Sequence, residues 1–274
     1  MVRLHKNLLV TKPITLILIV ASGCALFALV LLIFWPKPNL EAQVLVARAT
    51  LQNARQTHTI RAEHRQAIPQ APEEPQSHAQ RLLFLATMLP LIAMENDRIR
   101  NQRELVKRAT LPVHLSTLAL EYGLKPTNVG KSELLKRVDV LPESLVLAQA
   151  AIESAWGTSR FAREGNALFG ERTYNPDIPG MTPKRASGFK VKSFASAQLS
   201  IRSYMLTINN HPAYQAFRHR RATLRTLDEP LTGHVLALHL KAYSELGSVY
   251  IKRITDTISA NDLSDFDGIK ITLK

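Results

Sequence analysis

The chain has 274 residues, of which 46% are hydrophobic and 21% are charged, and this composition is typical of a folded protein with one or two domains. Its single cysteine, Cys24, excludes a disulfide framework or a cysteine-rich metal site within one chain. The formal net charge is +13, but the basic residues are not interleaved with aromatic residues and the nine histidines show no metal-ligand spacing, so neither a nucleic-acid partner nor a metal or other cofactor is expected.

The N-terminal segment predicts a membrane anchor. No charged residue lies between Ile14 and Trp35, and a helix of this length would measure roughly 33 Å, enough to cross a bilayer core of about 30 Å. Basic residues and no acidic ones precede the span, so the positive-inside rule places residues 1–13 in the cytoplasm and the rest of the chain in the periplasm. The segment Ala21–Cys24 also resembles a bacterial lipoprotein processing site, and in that alternative a lipid on Cys24 provides the tether to the inner membrane.

Residues 36–78 are predicted to form a spacer between this anchor and the rest of the chain. They are rich in glutamine, arginine, histidine, alanine and proline and show no sustained apolar face. Residues 43–62 are compatible with an amphipathic helix. In this interpretation the helix lengthens the spacer and takes no part in catalysis.

Residues 79–136 are predicted to be a helical lead-in that packs on the domain that follows. Apolar residues three and four apart over residues 82–99 predict an amphipathic helix, which Pro90 is expected to kink. Further short helices are predicted at residues 115–122 and 132–137. Because alternation typical of a strand is confined to residues 188–194, the sequence predicts a mainly α fold.

The most informative stretch is the helix predicted over residues 142–157, which begins at Pro142 and ends at Gly157. Glu153 lies beside the apolar stripe of this helix, at the margin of the expected core. Partial desolvation there raises the pKa of a carboxyl group, as the proton donor of a glycosidase requires. The residues of the stripe, which are predicted to face the core, are Leu145, Ala148, Ile152 and Ala155.

The residues that follow this glutamate form a long and specific motif. Residues 153–157 read ESAWG and residues 157–170 read GTSRFAREGNALFG. Together they resemble the glucosaminidase domains of glycoside hydrolase family seventy-three, in which an ESxWG segment precedes S-x-F-A and N-x-F-G-like elements. Over residues 80–262 the chain resembles the Bax family of bacterial proteins. Positions that carry this wider resemblance include Leu89–Ile92, Arg137–Asp139, Phe194, Tyr204, Asn209 and Tyr214.

This resemblance implies a lysozyme-like glucosaminidase domain over residues 137–262, followed by a tail at residues 263–274. It further implies an endo-β-N-acetylglucosaminidase that acts on peptidoglycan glycan strands and cleaves the β-1,4 bond between N-acetylglucosamine and N-acetylmuramic acid. Glu153 takes the position of the general acid of the family. The residues implied to bind substrate are Ser154, Trp156, Asn166, Phe169 and Tyr250.

The remaining catalytic groups are left open by the sequence. Tyr243 resembles the first tyrosine of a Y-A-T-D-like element near the active site of this family, although serine, glutamate and leucine follow it here. A second carboxylate could come from Glu171, directly after the motif, or from Asp177, which is the one acidic residue between Arg172 and Leu227. Alternatively, the N-acetyl group of the substrate serves as the nucleophile.

Two other functions remain compatible with the sequence. A lytic transglycosylase would use one helical glutamate on the same substrate, although its G-x-x-G-x-M-Q run is absent. A non-catalytic peptidoglycan-binding scaffold would have retained the fold alone.

Residues 172–225 contain ten basic residues and a single acidic one, which predicts a cationic surface for the carboxylates of peptidoglycan. The sequence identifies no protein partner.

Overall fold

Helices dominate the part of the chain that the structure describes. A computed structural model describes residues 39–63, 77–110, 115–126, 130–184 and 188–272. The chain divides into two units, Met1–Glu41 and Ala42–Lys274, and nearly all described residues belong to the second. No helix within these residues is long and apolar enough to cross a membrane. The anchor predicted at residues 14–35, including Cys24, lies outside the described residues.

The secondary structure alternates long and short helices with a few very short strands. The helices are α1 (Leu40–Thr57), α2 (His78–Arg108), α3 (Ser116–Glu121), α4 (Lys131–Arg137), α5 (Glu143–Ser154), α6 (Arg160–Gly165), α7 (Ala197–Asn210), α8 (Gln215–Thr226), α9 (Gly233–Ala237) and α10 (Ser248–Ala260). The strands are β1 (Thr59–Arg61), β2 (Arg172–Thr173), β3 (Gly180–Met181), β4 (Lys190–Lys192) and β5 (Lys270–Thr272). Single 3₁₀ turns lie at Pro212–Tyr214, Lys241–Tyr243 and Leu263–Phe266.

Helix α5 lies at the centre of the core. Its residues Glu143 to Ala151 are all buried, because α2, α9, α10 and the 3₁₀ turn at Leu263–Phe266 pack around it. The single core-facing stripe predicted for this helix is therefore wrong: the helix is enclosed on all sides, Ile152 is only half-buried, and Ala155 lies beyond the last helical residue. Only the C-terminal turn of α5 reaches the surface of the core.

The first turn of α5 is held by the C-terminal part of the chain. Asp267 accepts hydrogen bonds from the N–H of Ser144 at 2.8 Å, from its hydroxyl at 2.8 Å, and from the N–H of Gly233 at 3.2 Å. Glu143 accepts bonds from the N–H of Gly268 and from the side-chain amide of Asn96, both at 2.8 Å. Burial raises the pKa of Glu143 to about 7, although these two bonds act in the opposite direction.

The segments predicted as a spacer and a tail contribute to this fold. Strands β1 and β5 pair in parallel, with Ile60 opposite Ile271. Helix α1 buries Ala47, Leu51 and Ala54, which recur at helical spacing on one face. The spacer interpretation of residues 36–78 therefore needs correction over α1 and β1, where small alanines made the apolar face inconspicuous, and residues 263–272 are not a free tail.

The predicted strand at residues 188–194 is present as β4. It is the central strand of an antiparallel sheet with the order β2-β4-β3. The outer strands of this sheet have two residues each, too few for an alternating pattern to be recognised in the sequence. Helices α3 and α4 correspond to the predicted short helices, and α2 continues through Pro90 as a single helix.

Some of the basic residues between 172 and 225, whose number predicted a cationic surface, are buried or paired with acidic residues. Arg218 and Arg221 are buried, and Arg225 is paired with Asp139 at 2.9 Å. Arg202 is paired with Glu95 on α2 at 3.2 Å. Part of the positive charge in this stretch is therefore buried or neutralised by ion pairs, while Arg172 and Lys184 are exposed.

A buried ionic cluster around Asp139 joins helices α2, α4 and α8. Burial alone would raise the pKa of Asp139, but the charges of Arg221, Arg225 and Arg103 outweigh it and hold that pKa below its ordinary value. Arg221 is 0% exposed and donates to the backbone carbonyl groups of Asp139, Val140 and Lys136. The cluster is a structural element, with no contact to the last turn of α5 among the described interactions.

We expect Asp139→Asn to lower the free energy of unfolding by about 3–5 kcal/mol at pH 7, because it leaves the buried Arg221 guanidinium without its counter-charge. Because the pKa of Asp139 is lowered on folding, its contribution is present above the unfolded pKa and is lost as the pH falls through the folded value. The measurement is urea unfolding at pH 7 and at decreasing pH. Asp177→Asn, at an exposed residue, is the control, and equal stability of the two variants at pH 7 would contradict the expectation.

Candidate active site

Glu153 lies in the last turn of α5, where the helix leaves the core. The chain turns sharply directly after it, since Ala155, Trp156 and Gly157 all have left-handed backbone angles, with φ of 52°, 58° and 79°. Ser154 stabilises this turn: its hydroxyl donates to the carbonyl group of Ala150 at 2.6 Å and accepts from the N–H of Gly157 at 2.8 Å. The turn ends the helix immediately after Glu153 and leaves its carboxyl group half-buried.

One oxygen of this carboxyl group is bonded and the other is free within the described residues. The hydroxyl of Tyr250 donates to Oε1 of Glu153 at 2.8 Å. Oε2 faces Gly170, where a Cβ atom would lie 3.7 Å from it. Burial raises the pKa of Glu153 above its ordinary value, while the bond from Tyr250 and the charge of Arg253 act in the opposite direction. Such a carboxyl group can hold a proton and deliver it to a leaving group.

Behind Glu153, a chain of hydrogen bonds extends into the core. Gln149, one turn earlier on α5, donates from Nε2 to the Tyr250 hydroxyl at 3.1 Å. The hydroxyl of Tyr204 on α7 donates to Oε1 of Gln149. Gln149, Tyr204 and Tyr250 are all buried, so no bulk water competes for these bonds.

Glu153 opens into a cavity of about 760 Å³, large enough for sugar units. Aromatic rings form one wall of it. Phe169 is stacked on Tyr204 with ring centroids 4.0 Å apart, and Tyr243 is stacked on Tyr250 at 5.4 Å. The hydroxyl of Tyr243 donates to the carbonyl group of Phe169 at 3.1 Å, which joins the two stacks.

The structure brings several predicted site residues together at this cavity. Glu153, Phe169, Glu171 and Tyr243 line it, and Tyr250 reaches it through its bond to Glu153. Tyr204 and Tyr214 line it as well, and Glu245 does so from the altered tyrosine element. No role in the site was predicted for Gln149, although its position four residues before Glu153 places both on the same helix face.

Three of the residues predicted to bind substrate are placed elsewhere. Ser154 is fully buried beneath the turn. Trp156 packs edge-on against Phe84 at 5.7 Å and is not among the residues that line the cavity. Asn166 ends α6 in a left-handed conformation and donates to the carbonyl group of Phe194 at 3.0 Å. Their contacts shape the fold around the site rather than the cavity surface.

The two candidates for a second carboxylate differ in their surroundings. Asp177 is exposed, and its N–H is bonded to the Asn175 side chain. Glu171 lines the cavity and accepts bonds at Oε2 from Lys192 at 3.1 Å and Ser203 at 2.9 Å. Oε1 of Glu171 is buried and has no hydrogen-bond partner within the described residues. Only Glu171 of this pair shares the cavity with Glu153.

Comparison with known proteins agrees with the motif around Glu153. Residues 131–263 match the glucosaminidase family, which is described as mannosyl-glycoprotein endo-β-N-acetylglucosaminidase. The chain is 29% identical over 210 residues to "Protein bax" of Escherichia coli (strain K12), an alignment that covers 72% of this chain and 76% of that protein. No solved structure is significantly similar to the chain. The predicted resemblance to a glucosaminidase domain of the Bax type is thereby confirmed.

We expect Tyr250→Phe to raise the pKa of Glu153 further, because the lost hydroxyl bond stabilises the carboxylate form. The measurement is a carbon-13 NMR titration of the glutamate carboxyl groups, assigned with a Glu153→Gln sample. Tyr243→Phe is the matched control, since it removes a hydroxyl from the neighbouring ring that is bonded to Phe169 and not to Glu153. An unchanged titration of Glu153 in the Tyr250 variant would show that this bond is absent in solution.

Proposed function

We propose that this glucosaminidase-family domain hydrolyses the glycan strands of peptidoglycan, at the β-1,4 bond between N-acetylglucosamine and N-acetylmuramic acid, with Glu153 as the general acid. The observation that carries the proposal is a half-buried carboxyl group with a raised pKa, at the base of an aromatic-lined cavity, within a domain of this family. Transfer of a proton to the leaving oxygen is the step that such a group catalyses in a glycosidase.

The arrangement of Glu153 gives each of its oxygens a separate role. Oε1 is occupied by the bond from Tyr250, while Oε2, beside Gly170, is free to carry the proton. As the bond from the sugar carbon to the glycosidic oxygen breaks, Oε2 gives its proton to that oxygen and Glu153 becomes a carboxylate. The hydrogen bond from Tyr250 strengthens as this negative charge develops.

We further propose that Glu171 is the second carboxylate of the reaction. It lines the same cavity as Glu153 and accepts bonds from Lys192 and Ser203. Its second oxygen is buried and has no hydrogen-bond partner within the described residues, and in this proposal the carboxylate acts as the base or the nucleophile of the reaction. Glu245 also lines the cavity but is exposed and has no comparable support.

The substrate requires the domain to act outside the cytoplasmic membrane, and the anchor predicted at residues 14–35 would hold it there. The described side chains that line the cavity all belong to the second unit, Ala42–Lys274. Membrane fractionation of the full chain tests the proposed tether.

We expect Glu153→Gln to lower the rate of solubilisation of purified peptidoglycan by at least about 10²–10⁴-fold, because the amide cannot donate the proton. Mass spectrometry of the wild-type products should show reducing N-acetylglucosamine ends, whereas an anhydro sugar would identify a lytic transglycosylase. Asp177→Asn is the control for the loss of an exposed carboxylate that does not line the cavity. A Glu153→Gln protein as active as the wild type would refute the assignment of the acid, and a folded but inactive wild type would favour the non-catalytic scaffold.

We expect Glu171→Gln to lower the same rate by at least about 10²-fold, while Glu245→Gln and Asp177→Asn stay within a few-fold of the wild type. Added azide should restore part of the activity of the Glu171 variant if this carboxylate acts as base or nucleophile. Full activity in all three variants would contradict the role of Glu171 and favour attack by the N-acetyl group of the substrate.

A further inference from the structure

The hydrogen-bond chain behind Glu153 has a fixed direction. The Tyr204 hydroxyl has no acceptor other than Oε1 of Gln149 within the described residues. If the Gln149 amide were turned round, the buried Tyr204 proton would face an N–H group and lose its partner, which is costly in the core. Tyr204 therefore orients the amide with its oxygen toward Tyr204 and its nitrogen toward Tyr250.

This orientation determines where the proton of Tyr250 points. The Gln149 nitrogen can only donate, so it occupies the Tyr250 oxygen as an acceptor at 3.1 Å. The single proton of Tyr250 is then directed to Oε1 of Glu153, at 2.8 Å. A reversed amide would instead compete with Glu153 for that proton.

We propose that Gln149, oriented by Tyr204, is a positioning residue that commits the Tyr250 proton to Oε1 of Glu153 and leaves Oε2 as the oxygen that delivers the catalytic proton. The inference rests on the proposed function, because it assigns a role in that reaction. Donation from Gln149 also polarises the Tyr250 hydroxyl and strengthens its bond to the carboxylate.

The experiment compares pH profiles of kcat on peptidoglycan glycan strands. Gln149→Met keeps a side chain of similar length but removes both bonds. We expect kcat to fall roughly ten- to hundredfold with little change in KM, because the acid is less well aligned. We also expect the alkaline limb of the profile to move to higher pH, in the same direction as in Tyr250→Phe, because the carboxylate loses stabilisation.

The double variant tests whether Gln149 acts through Tyr250. Gln149→Met combined with Tyr250→Phe should be no worse than Tyr250→Phe alone, since the same bond is already lost. Gln80→Met is the matched control: Gln80 is also a fully buried glutamine, but it donates to the Trp156 carbonyl group. It should leave the alkaline limb in place.

Two further measurements keep the outcomes separate. If Gln149→Met does not fold, Tyr204→Phe releases the amide by removing one oxygen, and it should move the alkaline limb in the same direction. If the wild type has no glycosidase activity, the carboxyl titration of Glu153 by NMR still tests the positioning, because the bond exists without substrate. Additive effects in the double variant, or an unmoved limb and an unmoved titration, would overturn the proposal.

Discussion

The central constraint on this fold is that α5 must be held at its buried first turn for Glu153 to be placed at its last. The N–H groups at the start of a helix have no partner within the helix, and in the core they need one from elsewhere in the chain. Asp267 supplies it for Ser144, and the same carboxylate binds the start of α9 through Gly233. One acidic residue thereby sets the position of two helices around the core.

The polar groups of α5 show how an enclosed helix can carry chemistry. Glu143 and Ser144 are partnered by the C-terminal segment, and Gln149 by two tyrosines, so each buried polar side chain has a specific contact. Buried polar groups without partners would destabilise the helix. Since their partners come from different elements, the position of the acid depends on the packing of the whole domain.

The sequence indicated Glu153 as the candidate acid but did not indicate its surroundings. A run of apolar residues ending in glutamate and glycine indicated both the helix and the position of Glu153 at the margin of the core. Helical spacing alone did not show that α5 is enclosed, because burial depends on how many elements pack around it. The roles of Tyr204 and Gln149 depend on contacts 55 residues apart in the chain, which local patterns do not contain. The number of basic residues predicted a cationic surface, but some of the arginines of α8 are buried. Counting charges cannot distinguish a solvated face from an internal ion cluster.

The pairing of β1 with β5 separates two ideas of a domain that are often treated as one. The stretch with a recognisable family pattern ends at residue 263, yet the group that caps α5 follows at Asp267 and the closing strand follows at Lys270–Thr272. The partner of that strand, Thr59–Arg61, lies well before residue 131. The stretch that the family pattern covers is thus shorter at both ends than the packed fold, and the placement of its central helix depends on flanking sequence that the pattern does not include.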